Sequence, residues 1–322
     1  MTLVHFERPD SDAVEVLYDE SARRVDSEQA TDMRTSEPGI ARVINEALLL
    51  VIVGIVGFAG YFTIGSDRIH EREQRTLRRE FRAAAAAVAL DPQFALDGSG
   101  NIVGVREVAP GAPVAELEIP SIGVDQIVVE GTRPDDTMRG PGHLPASPLP
   151  GQYGNVVIIG RRSSFGAPLR DLDRLAVGEV IRVRGGLGTF TYVVRDAVLA
   201  AANDATVFAT RARRNTLTLM TAGSDWSAQQ RFVVIAELRG RPQGFSPSTI
   251  APRPAELGLV GDRRGWVPFV FALQLLLTVS VALVWLRRHW LAGCTWVVGV
   301  PTIGAACWMV FDQAARLLPS SL

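Results

Sequence analysis

The residues of this chain that could do covalent chemistry are a few hydroxyl groups and one histidine in its polar middle. Residues 217–238, LTLMTAGSDWSAQQRFVVIAEL, are predicted to form a strand, a short polar turn and a second strand. Thr221 and Ser224 lie at this turn and Ser163 lies in an earlier GRRSS run, and each hydroxyl would need an adjacent base to act as a nucleophile. The only histidine in the same part of the chain, His143, belongs to a GPGH turn, which favours a structural role over a catalytic one.

Thiol chemistry has no source in the polar middle of the chain. Both cysteines, Cys294 and Cys307, lie in an apolar stretch near the C-terminus, so cysteine usage does not indicate a redox compartment. All 33 basic residues are arginines and they nearly balance 34 acidic residues, so the net charge gives no indication of nucleic-acid binding. We expect no cofactor and no bound metal.

Short β-rich runs separated by turns with Gly and Pro occupy residues 114–240, which we take as one domain. The runs are AELEI, QIVVEG, NVVIIG, EVIRVR, TFTYVV, TLTLM and RFVVIAEL. A short helix is predicted at APLRDLDRL. Many short strands of this kind predict a mainly β domain that closes into a small barrel.

Three apolar segments frame this domain and are predicted to cross a membrane. Residues 47–64 contain eighteen residues without a charge, about the minimum for a helix across a ~30 Å hydrocarbon core. Residues 266–286 and 290–311 are predicted to form a helical hairpin with RRH at its tip. A cleaved signal peptide and a buried helix pair are the alternatives. They are disfavoured because a long polar segment precedes residue 47 and because both later spans lack charges.

The remaining segments are predicted to be tails and linkers. Residues 1–46 are acidic and lack apolar periodicity, which predicts a disordered tail. Residues 65–113 begin with a charged helix at 69–90, whose charges form a mostly solvated face, and continue as a linker. Residues 241–265 form a second, Pro-rich linker.

Four motifs, in their order and spacing, resemble the sortase family over residues 115–238. They are LEIPSIGVDQIVVEGT, GPGHLPAS, PGQYGNVVIIGRRSSFGAPLRDLDRL and LTLMTAGSDWSAQQRFVVIAEL, and they are nearest to the class E and class D types of actinobacteria. Sortases are membrane-anchored transpeptidases that cut a C-terminal sorting signal and join the protein to a cell-wall or pilin amine. The resemblance therefore implies a sortase-like closed β-barrel with short helices, one N-terminal transmembrane helix and two C-terminal ones.

The resemblance also decides the expected orientation. More arginines follow the first apolar segment than precede it, which alone would place the barrel in the cytoplasm. The Arg287–Arg288 tip favours the opposite orientation, and large domains can be translocated despite such charges. The family implies a multi-pass protein of the cell membrane with an extracytoplasmic barrel, so residues 1–46 and the tip would lie inside.

Two of the three catalytic positions that the resemblance assigns hold unsuitable residues. Sortases use a cysteine nucleophile, a histidine for proton transfer and an arginine that stabilises the oxyanion or positions the substrate. The cysteine position is Ala222 and the histidine position is Arg161, whereas Arg231 keeps the family's nine-residue spacing from the cysteine position. A methyl group is no nucleophile, and an arginine with a pKa above ~12 is no base at neutral pH.

The leading hypothesis is a catalytically inactive, sortase-like membrane protein that binds a sorting-signal-like peptide, an anionic group or a cell-surface protein. Arg161 and Arg231 would line a positive cleft suited to a carboxylate or phosphate. The candidate ligand-binding residues are Arg161, Arg162, Thr221, Ser224, Ser227 and Arg231.

Two alternatives remain open at the level of sequence. The first is a transpeptidase or peptidase that uses a Ser or Thr nucleophile. The second is a structural role, in which the C-terminal hairpin docks another membrane protein through small residues such as Gly293, Gly299 and Gly304.

Overall fold

The computed structural model describes most of the chain from residue 54 onward. The described residues are 48, 52, 54–90, 108–201, 204, 215–224, 227–242, 265–289, 292–319 and 321. The chain divides into two compact units, Met1–Gly57 and Phe58–Leu322, and all elements below belong to the second unit. The predicted disordered tail and most of both predicted linkers lie outside the described residues.

Residues 113–239 form a closed eight-stranded barrel, which confirms the predicted mainly β architecture. The strands follow the order β1-β2-β3-β4-β7-β8-β6-β5 around the barrel. They are β1 Pro113–Ile119, β2 Val124–Glu130, β3 Gly142–His143, β4 Asn155–Ile159, β5 Val180–Gly185, β6 Gly188–Ala201, β7 Thr216–Ser224 and β8 Ser227–Arg239. The motif pattern did not predict β3, because two residues are too few for an alternating pattern.

Strands β4 and β7 lie side by side in parallel, as the order of the motifs predicts. Ile159 is opposite Met220, and the Gly160 amide donates to the Met220 carbonyl at 2.9 Å. Strand β8 returns antiparallel beside β7 and places Arg231 directly opposite Ala222.

Both faces of β4 and β7 are buried, and the buried threonines Thr216 and Thr218 of β7 both donate to Asn155 Oδ1 of β4. Leu219 and Ile158 belong to the main core cluster, whereas the alternate residues Met220 and Val157 belong to a second cluster with Leu144. A strand that is buried on both faces has no solvent-exposed face, so its sequence need not alternate between exposed polar and buried apolar residues. The ends of β4 and β7 are therefore held firmly.

A long helix, α1 (Ser66–Leu90), follows a π-helical turn at Tyr61–Gly65 and packs on the barrel. Leu77 and Phe81 form a buried cluster with Ile127 and Val129 of β2. The Gln74 side chain donates to the Ile127 carbonyl and accepts from the Ile127 amide. The predicted helix at 69–90 is thus present, with a docking face besides its solvated charges.

His70 of α1 is buried against the barrel, and its titration gives a test of this docking. Burial lowers the pKa of His70, although the Gln126 side chain at 2.9 Å from Nε2 partly opposes this effect. The unfolded state therefore binds the proton more readily, and stability should fall as pH drops through about 6.5. We expect wild type to lose more unfolding free energy than His70→Gln between about pH 7.5 and about pH 5.5. Denaturant titrations of both proteins at the two pH values measure this, and equal losses would contradict it.

The C-terminal region forms two long apolar helices, α3 (Trp266–His289) and α4 (Ala292–Leu317). Two stretches, Trp266–Leu283 and Val297–Leu317, are long and apolar enough to cross a membrane. The predicted hairpin is present, and both helices continue past the predicted C-terminal ends of their spans. The RRH run belongs to the last turn of α3 because arginine favours helix, and α4 extends six residues past the predicted end at residue 311.

The predicted N-terminal span at residues 47–64 is only partly described. Residues 48, 52 and 54–60 are helical and lead into the π-helical turn. The other residues of its first half lie outside the described part of the chain, so this span remains a prediction.

Candidate functional site

The three positions that the motif spacing singles out meet at the ends of β4 and β7. Ala222 is completely buried in β7, with Arg231 of β8 opposite it. On the other side of β7, the Gly160 amide donates a hydrogen bond to the Met220 carbonyl. This bond holds the residues that follow β4 beside β7. The backbone at Arg161 therefore passes beside Ala222, and the predicted convergence of the three positions is present.

The Arg161 side chain lies inside the protein, which corrects the expectation that it lines an open positive cleft. Its Nε donates to Thr137 Oγ1 at 3.2 Å and its Nη2 to the Pro134 carbonyl at 3.2 Å. Nη1 donates to Ser164 Oγ at 3.0 Å, and the guanidinium carbon lies 5.0 Å from the centre of the Phe165 ring. This side chain is 0% exposed and acts as a strut inside the fold.

A short helix supplies two of these acceptors. Helix α2 (Pro134–Arg139) starts with proline, which suits the first position of a helix, and the Asp136 side chain accepts a hydrogen bond from the Arg133 amide. Sequence reasoning missed this helix, although RPDDTMRG carries a proline at the start and a glycine after the end. Because α2 is held by its own caps, Pro134 and Thr137 stay fixed as partners for Arg161.

Burial lowers the pKa of Arg161 and of Arg231 below that of an exposed arginine, yet neither side chain becomes a base at neutral pH. Desolvation lowers the pKa of Arg161 to about 9, with the charge of Asp135 acting in the opposite direction. Desolvation likewise lowers the pKa of Arg231 to about 10. The sequence expectation of a pKa above ~12 for Arg161 was therefore too high. Both groups stay protonated at neutral pH, so neither replaces the histidine.

The other candidate residues occupy different environments. Thr221 is fully buried, and its hydroxyl has no hydrogen-bond partner within the described part of the protein. Ser224 is exposed at the end of β7, and the side chain of Ser227 lies outside the described residues. Arg162 forms an ion pair with Asp173 at 2.8 Å. Among the candidates whose side chains are described, Arg162 and Ser224 are the two that lie beside the site and are at least partly exposed.

The histidine of the GPGH turn is part of a buried hydrogen-bonded pair that sequence reasoning missed. His143 Nδ1 lies 2.9 Å from Oε2 of Glu130, and both side chains are almost fully buried. His143 Nε2 lies 2.9 Å from the Pro148 carbonyl, which can only accept a hydrogen bond. Nε2 therefore carries a proton that holds the turn, as expected for a structural histidine.

Ser147, His143 and Glu130 are arranged like a Ser-His-Glu catalytic triad. Their hydrogen bonds, however, do not place the protons as catalysis by such a triad requires. Ser147 Oγ lies 3.1 Å from His143 Nε2. Its hydroxyl donates to the Leu144 carbonyl at 2.8 Å and accepts from the Val157 amide at 3.2 Å. A catalytic serine must give its proton to an unprotonated Nε2. Here Nε2 is already protonated and the hydroxyl is already bound.

The described residues contain no cluster of three or more His, Cys, Asp or Glu side chains that could hold a metal ion.

Comparison with known proteins gives this fold a family. A family profile of the sortase domain matches residues 117–239. Sortase D of Bacillus subtilis (strain 168) is 26% identical over 176 residues, which cover 54% of this chain and 86% of that protein.

Solved structures give matches of the same kind. A Clostridium perfringens Sortase D5 transpeptidase is 21% identical, with a TM-score of 0.43, and the match covers 54% of this chain and 99% of that one. Sortase E from Streptomyces avermitilis is 28% identical, with a TM-score of 0.38, over 42% of this chain and 93% of that one. The family profile and the curated relative agree with the four motifs, and residues 117–239 of this chain match a sortase domain.

Proposed function

We propose that this protein is a membrane-anchored sortase homologue without transpeptidase activity, which uses the crevice at the ends of β4 and β7 to bind a peptide at the outer face of the membrane. One observation carries the proposal. The three positions that the resemblance assigns to catalysis lie next to one another, and two of these positions hold Ala222 and the buried Arg161. The frame for holding a peptide is thus kept, while the nucleophile and the base are missing.

The buried guanidinium of Arg161 changes the kind of ligand that we propose. Its three hydrogen bonds go to oxygens of the protein itself, so it is not offered to an anion from solution. Arg162 already pairs with Asp173. A peptide main chain therefore fits the crevice better than the carboxylate or phosphate expected from the sequence.

The proposal predicts no turnover. The full chain in detergent micelles should not cleave fluorogenic sorting-signal peptides or transfer them to an amine, under conditions in which an active sortase does both. Peptide cleavage measured by fluorescence and mass spectrometry provides the test. Cleavage that disappears in Ser224→Ala would contradict inactivity and support a serine nucleophile instead.

The structure gives the hydroxyl-nucleophile alternative little support. The Thr221 hydroxyl is buried and has no hydrogen-bond partner among the described residues, so no base there takes its proton. The two histidines whose side chains are described, His70 and His143, are bound to Gln126 and to Glu130, respectively.

One exposed glycine is still consistent with the alternative in which the C-terminal hairpin docks another membrane protein. A side-chain carbon added at Gly299 would lie 3.3 Å from Leu283 of α3, so this glycine already serves packing within the hairpin. A carbon added at Gly304 would contact nothing within 4 Å, and its face of α4 is open to lipid or another helix.

Contacts between α4 and the barrel support the proposed location. Arg316, in the last turns of α4, forms an ion pair with Asp135 of α2 at 2.8 Å. The barrel thus lies beside the C-terminal end of α4. If residues 1–46 are inside and three segments cross the membrane, this end and the barrel are both outside.

A further inference from the structure

The crevice beside Ala222 already holds a piece of peptide main chain. The carbonyl oxygen of Ser321 accepts hydrogen bonds from the Arg162 amide at 3.1 Å and from the Ala222 amide at 3.4 Å. Ser321 is only 2% exposed, although it lies beyond the last helix. One carbonyl thus binds both strand ends at the site where the catalytic positions meet.

The geometry of parallel strands explains why two amides are available there. The last ladder hydrogen bond between these strands runs from Gly160 to Met220, and beyond it the two chains separate. A buried amide without an acceptor costs about 1–3 kcal/mol, so both amides need a partner. A carbonyl placed between the diverging chains satisfies both amides.

The segment after α4 is held against the barrel by the end of its own helix. Ala315 is fully buried in a cluster with Tyr61, Met138 and Phe165. Tyr61 donates to Asp312 at 3.2 Å, and Asp312 in turn pairs with Arg316. Because Arg316 also pairs with Asp135, the position of α4 determines where Ser321 lies.

We propose that the amides of Arg162 and Ala222 form a binding site for a peptide main-chain carbonyl, and that Ser321 of this chain occupies it as a tethered ligand. A partner peptide must displace this segment to enter. Movement of α4 in the membrane would then open or close the crevice. The proposed control of the crevice by α4 rests on the peptide-binding function proposed above. The occupation of the two amides by the Ser321 carbonyl does not depend on that function.

The first test is disulfide trapping in the full chain in detergent micelles. Cys294→Ala and Cys307→Ala remove the native thiols, and Ser321→Cys is combined with Ala222→Cys in one protein and with Arg162→Cys in another. Mild oxidation should protect both thiols of at least one pair from a polymer-linked maleimide, as read by gel shift. The control pair joins Ser321→Cys to Val177→Cys, an exposed residue 66% accessible to solvent, and should remain reactive.

The second test measures access to the crevice. Ala222→Cys in the same thiol-free background should react slowly with a small maleimide, because Ala222 is buried and the Ser321 carbonyl covers its amide. Adding Ser321→Arg places a charge at a buried position and should expel the segment, which should raise the labelling rate by about tenfold or more. Adding Val177→Arg instead should leave the rate unchanged.

The outcomes separate the two proposals. A faster reaction in Ser321→Arg supports occupancy with or without a disulfide, because covalent trapping also needs suitable side-chain directions. An unchanged rate overturns the proposal, even if a disulfide forms. If Ser321→Arg opens the crevice but no sorting-signal peptide binds to the opened protein, the tethered ligand stands and the peptide-binding function fails.

Discussion

Arg161→Ala should lower the free energy of unfolding of the barrel by about 3–5 kcal/mol, the range for removing a buried charged group from its hydrogen-bonded partners. The substitution removes the three hydrogen bonds that the guanidinium donates to the Ser164 hydroxyl, the Thr137 hydroxyl and the Pro134 carbonyl, of which the carbonyl keeps only the bond from the Thr137 hydroxyl. It also leaves a cavity beside Phe165 in a fully buried place. These losses occur together, because one side chain joins the chain after β4 to helix α2.

Urea unfolding of the full chain in micelles, followed by the circular dichroism of the β-strands, measures this loss. Arg161→Met keeps much of the volume and removes the buried charge, so its loss should be smaller than that of Arg161→Ala. Arg174→Ala is the matched control, because Arg174 is 73% exposed and pairs only with the nearby Asp171. An Arg161→Ala protein within about 1 kcal/mol of wild type would refute the strut role and return Arg161 to the anion-binding candidates.

This role connects Arg161 with the C-terminal helix pair. The guanidinium ties the backbone beside Ala222 to α2, and α2 is tied to α4 through the pair of Asp135 and Arg316. The position that the sortase resemblance assigns to the catalytic histidine thus lies in a chain of contacts that runs from the backbone beside Ala222 to α4.

The sequence predicted the meeting of Ala222, Arg161 and Arg231 because that meeting depends on backbone register. The order of the family-like motifs predicted that β4 lies beside β7, and the structure shows that this pair is parallel and that β7 and β8 are antiparallel. The direction of the Arg161 side chain could not be predicted in this way. It depends on α2, a six-residue helix whose start signal was overlooked, and on burial that no local pattern encodes.

The occupied crevice also lay beyond sequence reasoning. Ser321 reaches the site only because α4 continues past residue 311, carrying Asp312 and Arg316 in an otherwise apolar helix. The hydropathy pattern predicted that the span would end at the first charge. In the structure, those charges pair with each other and with the barrel, so the helix continues.

His143→Ala should cost about 3–5 kcal/mol of unfolding free energy, because it leaves the Glu130 carboxylate buried without its partner. The imidazole joins β2, β3 and the turn at Pro148 through contacts of 2.9 Å on each ring nitrogen. Glu130→Gln keeps an oxygen near Nδ1 and removes the charge, so its loss should be smaller. The double variant His143→Ala, Glu130→Ala should lose less than the sum of the single losses, with a coupling of about 1–3 kcal/mol.

The same urea titration in micelles measures wild type, His143→Ala, Glu130→Ala, the double alanine variant and Glu130→Gln, with Glu118→Gln as the control. Glu118 and Arg182 form an exposed pair at 3.2 Å, and this control should change stability by at most about 1 kcal/mol. Additive losses for the two single alanine variants would show that the buried pair is not coupled. Peptide cleavage that disappears in Ser147→Ala, in a protein that remains folded, would show that the Ser147, His143 and Glu130 arrangement can exchange protons as a catalytic triad. The structural role then could not stand, because a histidine that holds its Nε2 proton on Pro148 cannot also accept the proton of a serine.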